Sequence, residues 1–166
     1  NQEEVTWGKL QKDTAAVKET LKRLNVQKGD RIVAYSANNY ETVVAFLACA
    51  SIGAIWSSAS PDFGTQSVID RFQQIEPKVM FTIDGYRYGG KNFDRLETVQ
   101  EIQRALPTLE ATITIPYLNE TADFSSLKNP FTWQKVCKAK THESLAFEAV
   151  EFNEPLWILF SSGTTG

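Results

Sequence analysis

Two short apolar strands flank a mostly apolar helix early in the chain, and this arrangement limits the possible folds more than any other feature. Arg31–Tyr35 predicts a strand, residues 40–51 predict a buried helix, and residues 54–56 resume as a strand. Strands joined through a helix at this spacing form a βαβ crossover, in which they lie parallel with a right-handed connection. The fold class is therefore expected to be α/β, with a parallel sheet covered by helices.

The same alternation of helices and strands continues on both sides of this unit. An amphipathic helix precedes it, because its apolar side chains recur at helical spacing before a Lys28-Gly29-Asp30 turn. After it, Ser60-Pro61-Asp62 predicts the start of a third helix, with Ser60 or Asp62 as N-cap. The apolar face of the first helix consists of Leu10, Val17, Leu21 and Leu24. The apolar face of the third helix consists of Val68, Phe72 and Ile75.

The second half of the chain is less regular. The pattern predicts a strand over 78–83, a polar loop with glycines over 84–92, a helix over 98–106 and strands over 112–115 and 156–160. Residues 118–143 show no clear period, and 121–130 is the best candidate for a mobile surface loop.

Composition excludes several functional classes. The chain has 166 residues, 42% hydrophobic and 22% charged, which suits one soluble domain or part of a larger one. A net charge of -3 without long charged runs argues against nucleic-acid and anionic-membrane partners. The longest apolar run, 43–56, is shorter than the roughly 20 residues that span a bilayer. Cys49 and Cys137 have no CxxC spacing, which indicates a reducing compartment.

A loop of small residues follows the last predicted strand. Ser161, Ser162, Gly163, Thr164, Thr165 and Gly166 lie just beyond the strand's carboxyl end, where open α/β sheets bind ligands. The glycines allow close backbone approach, and the hydroxyls and N–H groups can hydrogen-bond phosphates. The GxxxxGK[ST] spacing of a Walker A loop is absent, which disfavours a P-loop NTPase. By composition alone, such a hexamer is more often an ordinary flexible loop.

This loop and the upstream segment together resemble the adenylate-forming superfamily of acyl-CoA synthetases, luciferases and peptide-synthetase adenylation domains. SSGTTG is similar to its phosphate-binding signature, and the stretch from TWGKLQKD to GAIWS is similar to its first helix, KGD turn, strand and buried helix. The resemblance implies that Ser161, Ser162, Gly163, Thr164, Thr165 and Gly166 bind the phosphates of ATP with Mg2+. It also implies that residues 1–166 form part of the large N-terminal AMP-binding domain. We expect three parts of such an enzyme to lie outside the chain: the remainder of that domain, the signature's lysine and the small C-terminal domain. Residues 1–166 alone are therefore not expected to catalyse the reaction.

Two further segments, WSSASPDFG and DGYRYGGK, are similar to the acetoacetate-activating branch of the acyl-CoA synthetases. Two cations flanking a Tyr-Gly-Gly turn present charge beside an accessible backbone, which suits a phosphate-rich ligand. The resemblance implies that Arg87, Gly89, Gly90 and Lys91 contact coenzyme A, although this chain has one residue more than the corresponding loop of acetyl-CoA synthetases. A solvated basic turn is the alternative.

The expected reaction is therefore ATP-dependent activation of acetoacetate to acetoacetyl-CoA through an acyl-adenylate, in the cytosol, by a larger protein that contains this chain. A ligase for another short-chain acid such as acetate, and a non-catalytic interaction protein, remain the alternatives. No catalytic residue and no metal ligand is assigned within the chain.

Other polar and aromatic residues are given structural roles. Trp56 and Phe63 are more often core residues than parts of a substrate path. His142 has no Cys or carboxylate at metal-ligand spacing and is interpreted as a surface residue. Asp62 is interpreted as a helix cap and Asp84 as a turn residue.

Overall fold

The computed structural model describes residues 4–138 and 145–161, which form a parallel sheet between two layers of helices. The strands are β1 (Arg31–Tyr35), β2 (Ile55–Ala59), β3 (Val79–Ile83), β4 (Gly85–Tyr88), β5 (Lys91–Asp94), β6 (Ala111–Ile115) and β7 (Pro130–Thr132). The helices are α1 (Trp7–Arg23), α2 (Tyr40–Ile52), α3 (Thr65–Gln73), α4 (Leu96–Ala105) and α5 (Trp133–Cys137).

The main sheet has five strands in the order β2-β1-β3-β6-β7, and every neighbouring pair is parallel. The predicted α/β class and the βαβ crossover from β1 through α2 to β2 are confirmed. The chain first moves outward from β1 to β2 and then returns past β1 to β3. The direction of strand addition therefore reverses at β1, as it does in doubly wound sheets.

Alternation along the central strand β1 divides the core between the two faces of the sheet. Ile32 and Ala34 pack in one cluster with buried residues of α1 and α2, whereas Val33 and Tyr35 pack in another with buried residues of α3 and α4. Both faces of a sheet in this setting are apolar because helices cover both of them.

Capping residues define the two longest helices. The Thr6 side chain accepts a hydrogen bond from the Lys9 backbone N–H at the start of α1, and Asn39 does the same for Thr42 at the start of α2. Gly53 ends α2 in the left-handed conformation, with φ of 73°. These caps place the start of α2 directly after the carboxyl end of β1.

The predicted start of the third helix is wrong. Helix α3 begins at Thr65 with Gly64 as N-cap, and neither Ser60 nor Asp62 caps it. The Pro61 carbonyl accepts hydrogen bonds from the Tyr35 hydroxyl and the Arg95 side chain, and these bonds hold residues 60–63 in a turn instead.

The predicted polar loop over 84–92 is also wrong, because most of it forms an antiparallel hairpin of β4 and β5. Its strands are short and mostly exposed, and they lack the apolar alternation that signals a half-buried strand. The short elements β7 and α5, within the stretch expected to be irregular, were not predicted either. Residues 121–129 contain no helix or strand, and buried Phe124 and Leu127 attach them to the core. Mobility of 121–130 stays a prediction.

Residues 145–161 cross the end of α2 and then run beside β2. The Glu148 N–H donates to the Ser51 carbonyl, and Lys28 forms an ion pair with Glu154 at 2.6 Å. Trp157 then forms a single parallel bridge with Trp56. The predicted strand over 156–160 is thus reduced to one bridge at the edge of the sheet. Among the described residues, no helix is both long enough and apolar enough to cross a membrane.

Candidate functional site

Four parallel strands, β1, β2, β3 and β6, end at the same level, and the connections that follow them lie at the carboxyl edge of the sheet. Tyr35, near the end of β1, is in register with Ala59 of β2 and Thr82 of β3, and Thr82 is in register with Thr114 of β6. The carboxyl edge of such a sheet, at the point where strand order reverses, is where open α/β proteins bind ligands. Two clefts lined by described residues lie at this edge.

The first cleft has a volume of about 460 Å³ and separates the β4-β5 hairpin from the turn that follows β2. Its charged lining residues are Arg87 and Asp62. The others are Ala37, Asn38, Ser60, Pro61, Tyr86, Tyr88 and Tyr117. Arg87 and the three tyrosines suit a ligand with both an anionic part and a flat ring, and Asp62 adds a hydrogen-bond acceptor on the turn after β2.

The second cleft, of about 400 Å³, adjoins the first and shares Ala37, Asn38 and Ser60 with it. One part of its lining is aromatic: the Phe46 ring lies 6.0 Å from Trp56 and 5.0 Å from Trp157, centroid to centroid. The other part carries hydroxyl and amide groups, from Ser36, Asn38, Thr42, Ser58 and Ser60. Trp56 itself is 1% exposed, as predicted for a core residue, whereas Phe63 is 45% exposed and the prediction of a core position is wrong for it.

The hairpin brings the four predicted CoA residues together at its tip. Gly89 and Gly90 form the turn with φ of 55° and 76°, which favours glycine, and a Cβ built at either would meet no atom within 4 Å. Arg87 Nε donates to Asn92 Oδ1 at 2.9 Å, and Lys91 pairs with Tyr88 across the strands. Among the ion pairs of the described residues, none includes Arg87 or Lys91. Both cations are therefore available to an anionic ligand, although only Arg87 lines the first cleft.

The base of the hairpin is held by Asp84, which sequence analysis interpreted only as a turn residue. The side chain is buried, and its two oxygens accept backbone N–H bonds from Tyr117, Leu118 and Asn119 at 2.7–2.8 Å. Three N–H donors compensate for the burial of this carboxylate, and none of the ion pairs among residues 4–138 and 145–161 includes Asp84. Asp84 thereby joins the connection after β3 to the connection after β6.

Glycine is required at the next position by a close approach of the two strands. A Cβ on Gly85 would lie 2.4 Å from the Phe93 carbonyl oxygen and 2.8 Å from Leu118 Cδ2. The first residue of the hairpin therefore cannot carry a side chain without movement of β5.

The predicted phosphate loop is only partly within the described residues. Ser161 is exposed and directly follows the segment that runs parallel to β2, so it lies toward the same edge as the two clefts. Ser162, Gly163, Thr164, Thr165 and Gly166 lie outside the described residues, as does His142. Over residues 4–138 and 145–161, no group of three or more His, Cys, Asp or Glu side chains could hold a metal ion.

Sequence reasoning missed several residues that shape the first cleft, chiefly Tyr86, Tyr117 and Arg95. Tyr117 follows the predicted strand over 112–115, so its place at the carboxyl edge was available from the pattern. Arg95 offered no such signal, because the fold and not the local sequence pattern brings its guanidinium to Pro61 and Tyr86.

The sequence model described as AMP-binding enzyme matches residues 1–166. The chain belongs to the AMP-binding enzyme family. This family membership agrees with the parallel sheet and with ligand-sized clefts at its carboxyl edge.

Individual proteins are similar to this chain along nearly its whole length. An acetoacetyl-CoA synthetase from Macaca fascicularis is 42% identical over 167 residues, covering 98% of this chain and 25% of that protein. An acetoacetyl-coenzyme A synthetase from Rhizobium meliloti is 39% identical over 163 residues. The solved structure of acetoacetyl-CoA synthetase from Streptomyces lividans superimposes with a TM-score of 0.92 at 46% identity, covering 100% of this chain and 25% of that one. The chain thus spans about a quarter of the length of the relatives it matches.

Proposed function

We propose that the protein containing this chain is an AMP-forming acetoacetate–CoA ligase, and that residues 1–166 are part of its large N-terminal AMP-binding domain. The observation that carries the proposal is the continuous similarity to acetoacetyl-CoA synthetases, 46% identity with a TM-score of 0.92 over the whole chain. The two adjoining clefts at the carboxyl edge support it, because a two-step ligase needs room for a nucleotide and for CoA beside one reaction centre.

The proposed reaction has two half-reactions. In the first, the acetoacetate carboxylate attacks the α-phosphorus of ATP, which forms acetoacetyl-adenylate and releases pyrophosphate. In the second, the CoA thiolate attacks the acyl carbon, which forms the thioester and releases AMP. Both steps depend on positioning of the reactants and on neutralisation of phosphate charge.

We assign the ATP phosphates to the loop Ser161, Ser162, Gly163, Thr164, Thr165 and Gly166. The loop follows the segment that runs parallel to β2, and its sequence offers glycines, hydroxyls and backbone N–H groups to phosphate oxygens. Mg2+ would enter with the ATP phosphates, whose charge it neutralises. The described residues offer no carboxylate cluster for it, so we assign it no ligand here.

We assign CoA to the hairpin tip, with its phosphates near Arg87, Gly89, Gly90 and Lys91. Two cations without a carboxylate partner in the described structure, next to an open glycine backbone, support this assignment over a simple solvated turn. The cation of Arg87 faces the first cleft, which would direct the rest of CoA toward the strand ends. We place the enzyme in the cytosol, with small molecules and not nucleic acids or membranes as its partners.

The proposal is tested with the full-length protein by exchange of labelled pyrophosphate into ATP. Acetoacetate should support exchange in the absence of CoA, and addition of CoA should yield acetoacetyl-CoA and AMP in equal amounts. A panel of short acids tests the substrate: stronger exchange with acetate than with acetoacetate would replace acetoacetate in the proposal. If none of the acids supported exchange of pyrophosphate into ATP, the protein would be a non-catalytic one and the proposed function would be wrong.

A further inference from the structure

Arg95 lies between the hairpin and the turn after β2, at the boundary of the first cleft. It directly follows β5, and its backbone N–H donates to the Asp84 carbonyl at 2.8 Å. Within the described part of the chain, no carboxylate forms an ion pair with its guanidinium. A half-buried cation without a carboxylate partner is held by other contacts, and these reveal its role.

The guanidinium bridges two elements that both line the first cleft. Nε donates to the Pro61 carbonyl at 2.8 Å, and a terminal nitrogen donates to the Tyr86 hydroxyl at 3.2 Å. Pro61 belongs to the turn after β2, and Tyr86 belongs to β4. The planar, forked guanidinium can serve both acceptors at once, which a lysine ammonium on a flexible stem does less well.

The aromatic residues of the hairpin add to this contact. The Tyr86 and Phe93 rings are stacked across β4 and β5 with centroids 5.1 Å apart, and the guanidinium carbon lies 5.1 Å from Tyr86 and 5.9 Å from Phe93. A cation at this distance from two ring systems is attracted to their faces. Arg95 therefore contacts both strands of the hairpin.

The Pro61 carbonyl has a second donor from the core of the sheet. The Tyr35 hydroxyl, on a fully buried side chain of β1, donates to it at 2.8 Å. One carbonyl oxygen thus connects the central strand, the turn after β2 and, through Arg95, the hairpin. An isolated two-stranded hairpin is marginally stable in water, so its orientation depends on contacts such as these.

We infer that Arg95 is a positioning residue that holds the β4-β5 hairpin against the Pro61 turn in the geometry required for CoA binding. The inference rests on the proposed function, because it takes the hairpin tip as the CoA site. Arg95 is not among the residues that line the first cleft. It acts through Tyr86 and Pro61, which do line it, and through the hairpin that carries Arg87 and Lys91.

The test uses the full-length enzyme with Arg95→Met, Arg95→Lys and Tyr86→Phe, and Arg104→Met as control. Arg104 is exposed on the neighbouring helix α4, and its side chain donates a hydrogen bond to Gln100 of the same helix. In Arg95→Met, KM for CoA should rise about tenfold or more with kcat changed less than about twofold, while CoA-free pyrophosphate exchange stays at the wild-type rate. Arg95→Lys should restore only part of the loss, Tyr86→Phe should show a smaller rise, and Arg104→Met should show none.

A second readout does not depend on substrate identity. Hydrogen exchange of the amides of residues 85–94 should be at least about tenfold faster in Arg95→Met than in wild type or Arg104→Met, because the hairpin loses its link to the sheet. Unchanged hairpin exchange would overturn the inference, and so would an unchanged KM for CoA or a parallel loss of pyrophosphate exchange. Absence of acetoacetate-dependent exchange in wild type would instead overturn the proposed function, and the hairpin amides would still decide the role of Arg95.

Discussion

Asp84 Oδ2 accepts a hydrogen bond from the backbone N–H of Asn119 at 2.7 Å, although the two residues are 35 positions apart. The other carboxylate oxygen accepts from the two preceding N–H groups, so one buried side chain organises the start of the connection after β6. The same residue directly precedes the hairpin that carries the proposed CoA site. Its side chain therefore stabilises the backbone next to the proposed site.

Asp84→Asn should destabilise the protein, because the amide nitrogen that replaces one oxygen is a donor facing an N–H donor. The loss of a charge-assisted bond and the unpaired buried N–H should together cost about 2–3 kcal/mol. Thermal unfolding of the full-length protein measures the change. Asp123→Asn is the matched control: exposed Asp123 accepts local hydrogen bonds from Ser125, two positions further along the chain, and the melting temperature should be nearly unaltered. Equal melting temperatures for wild type and Asp84→Asn would contradict the assigned role.

Much of this architecture was predictable from the sequence, and the failures have physical causes. The central strand Arg31–Tyr35 and helix α2 were predicted because their apolar runs have the lengths typical of a buried strand and a buried helix and are separated by a polar loop. The hairpin was not predicted, because its stability comes from Asp84, Arg95 and stacked rings and not from alternating apolar residues. The start of α3 was misplaced for a similar reason. Pro61 looked like a first-turn residue, but distant side chains hold its carbonyl in a turn.

The candidate site was predictable only in outline. The GYRYGGK segment indicated a basic, open turn, and the structure places that turn at the mouth of a cleft. The rest of the lining comes from the connections that follow three other strands, β1, β2 and β6. It includes Asp62, which was interpreted as a helix cap. Such juxtapositions arise from sheet order, which local sequence patterns do not encode.

Gly85→Ala should displace β5 from β4, since the added methyl group would lie far inside contact distance of the Phe93 carbonyl oxygen. We expect a loss of about 1–3 kcal/mol of stability, together with weaker CoA binding. Thermal unfolding and calorimetric titration with CoA measure the two effects. Gly8→Ala is the control: a Cβ there meets nothing within 4 Å, and alanine in α1 should be neutral or slightly stabilising. Wild-type stability and CoA affinity in Gly85→Ala would show that the hairpin tolerates the shift.

The double variant Arg87→Gln with Lys91→Gln should raise KM for CoA by about tenfold or more, because two cations without carboxylate partners in the described structure are removed from the proposed phosphate site. CoA-free pyrophosphate exchange should be unaffected. The rise should also be larger at low ionic strength, since salt screens exposed charges. The control is the double variant Lys12→Gln with Arg104→Gln, which removes two other exposed cations. If the control raised KM for CoA equally, general charge and not the hairpin tip would be responsible.

Both cysteines of the chain should react slowly with iodoacetamide in the native full-length protein, and the effect of pH should identify the cause. Burial raises the pKa of the fully buried Cys49 thiol well above its usual range, and burial, with a smaller contribution from the charge of Asp13, raises the pKa of Cys137 to about 12. Only the thiolate reacts, so at about pH 8 Cys137 should react at least about 100-fold more slowly than a free thiol, and Cys49 more slowly still.

The pH dependence distinguishes a raised pKa from simple steric protection. Because the neutral thiol is favoured up to the raised pKa, the rate at Cys137 should keep rising about tenfold per pH unit between about pH 8 and pH 10, whereas a free thiol levels off near pH 9. Residue-resolved mass spectrometry follows both sites, and unfolding in concentrated urea should abolish the difference. A plateau at Cys137 near pH 9 with a uniformly low rate would mean that access alone, and not thiolate formation, limits its reaction.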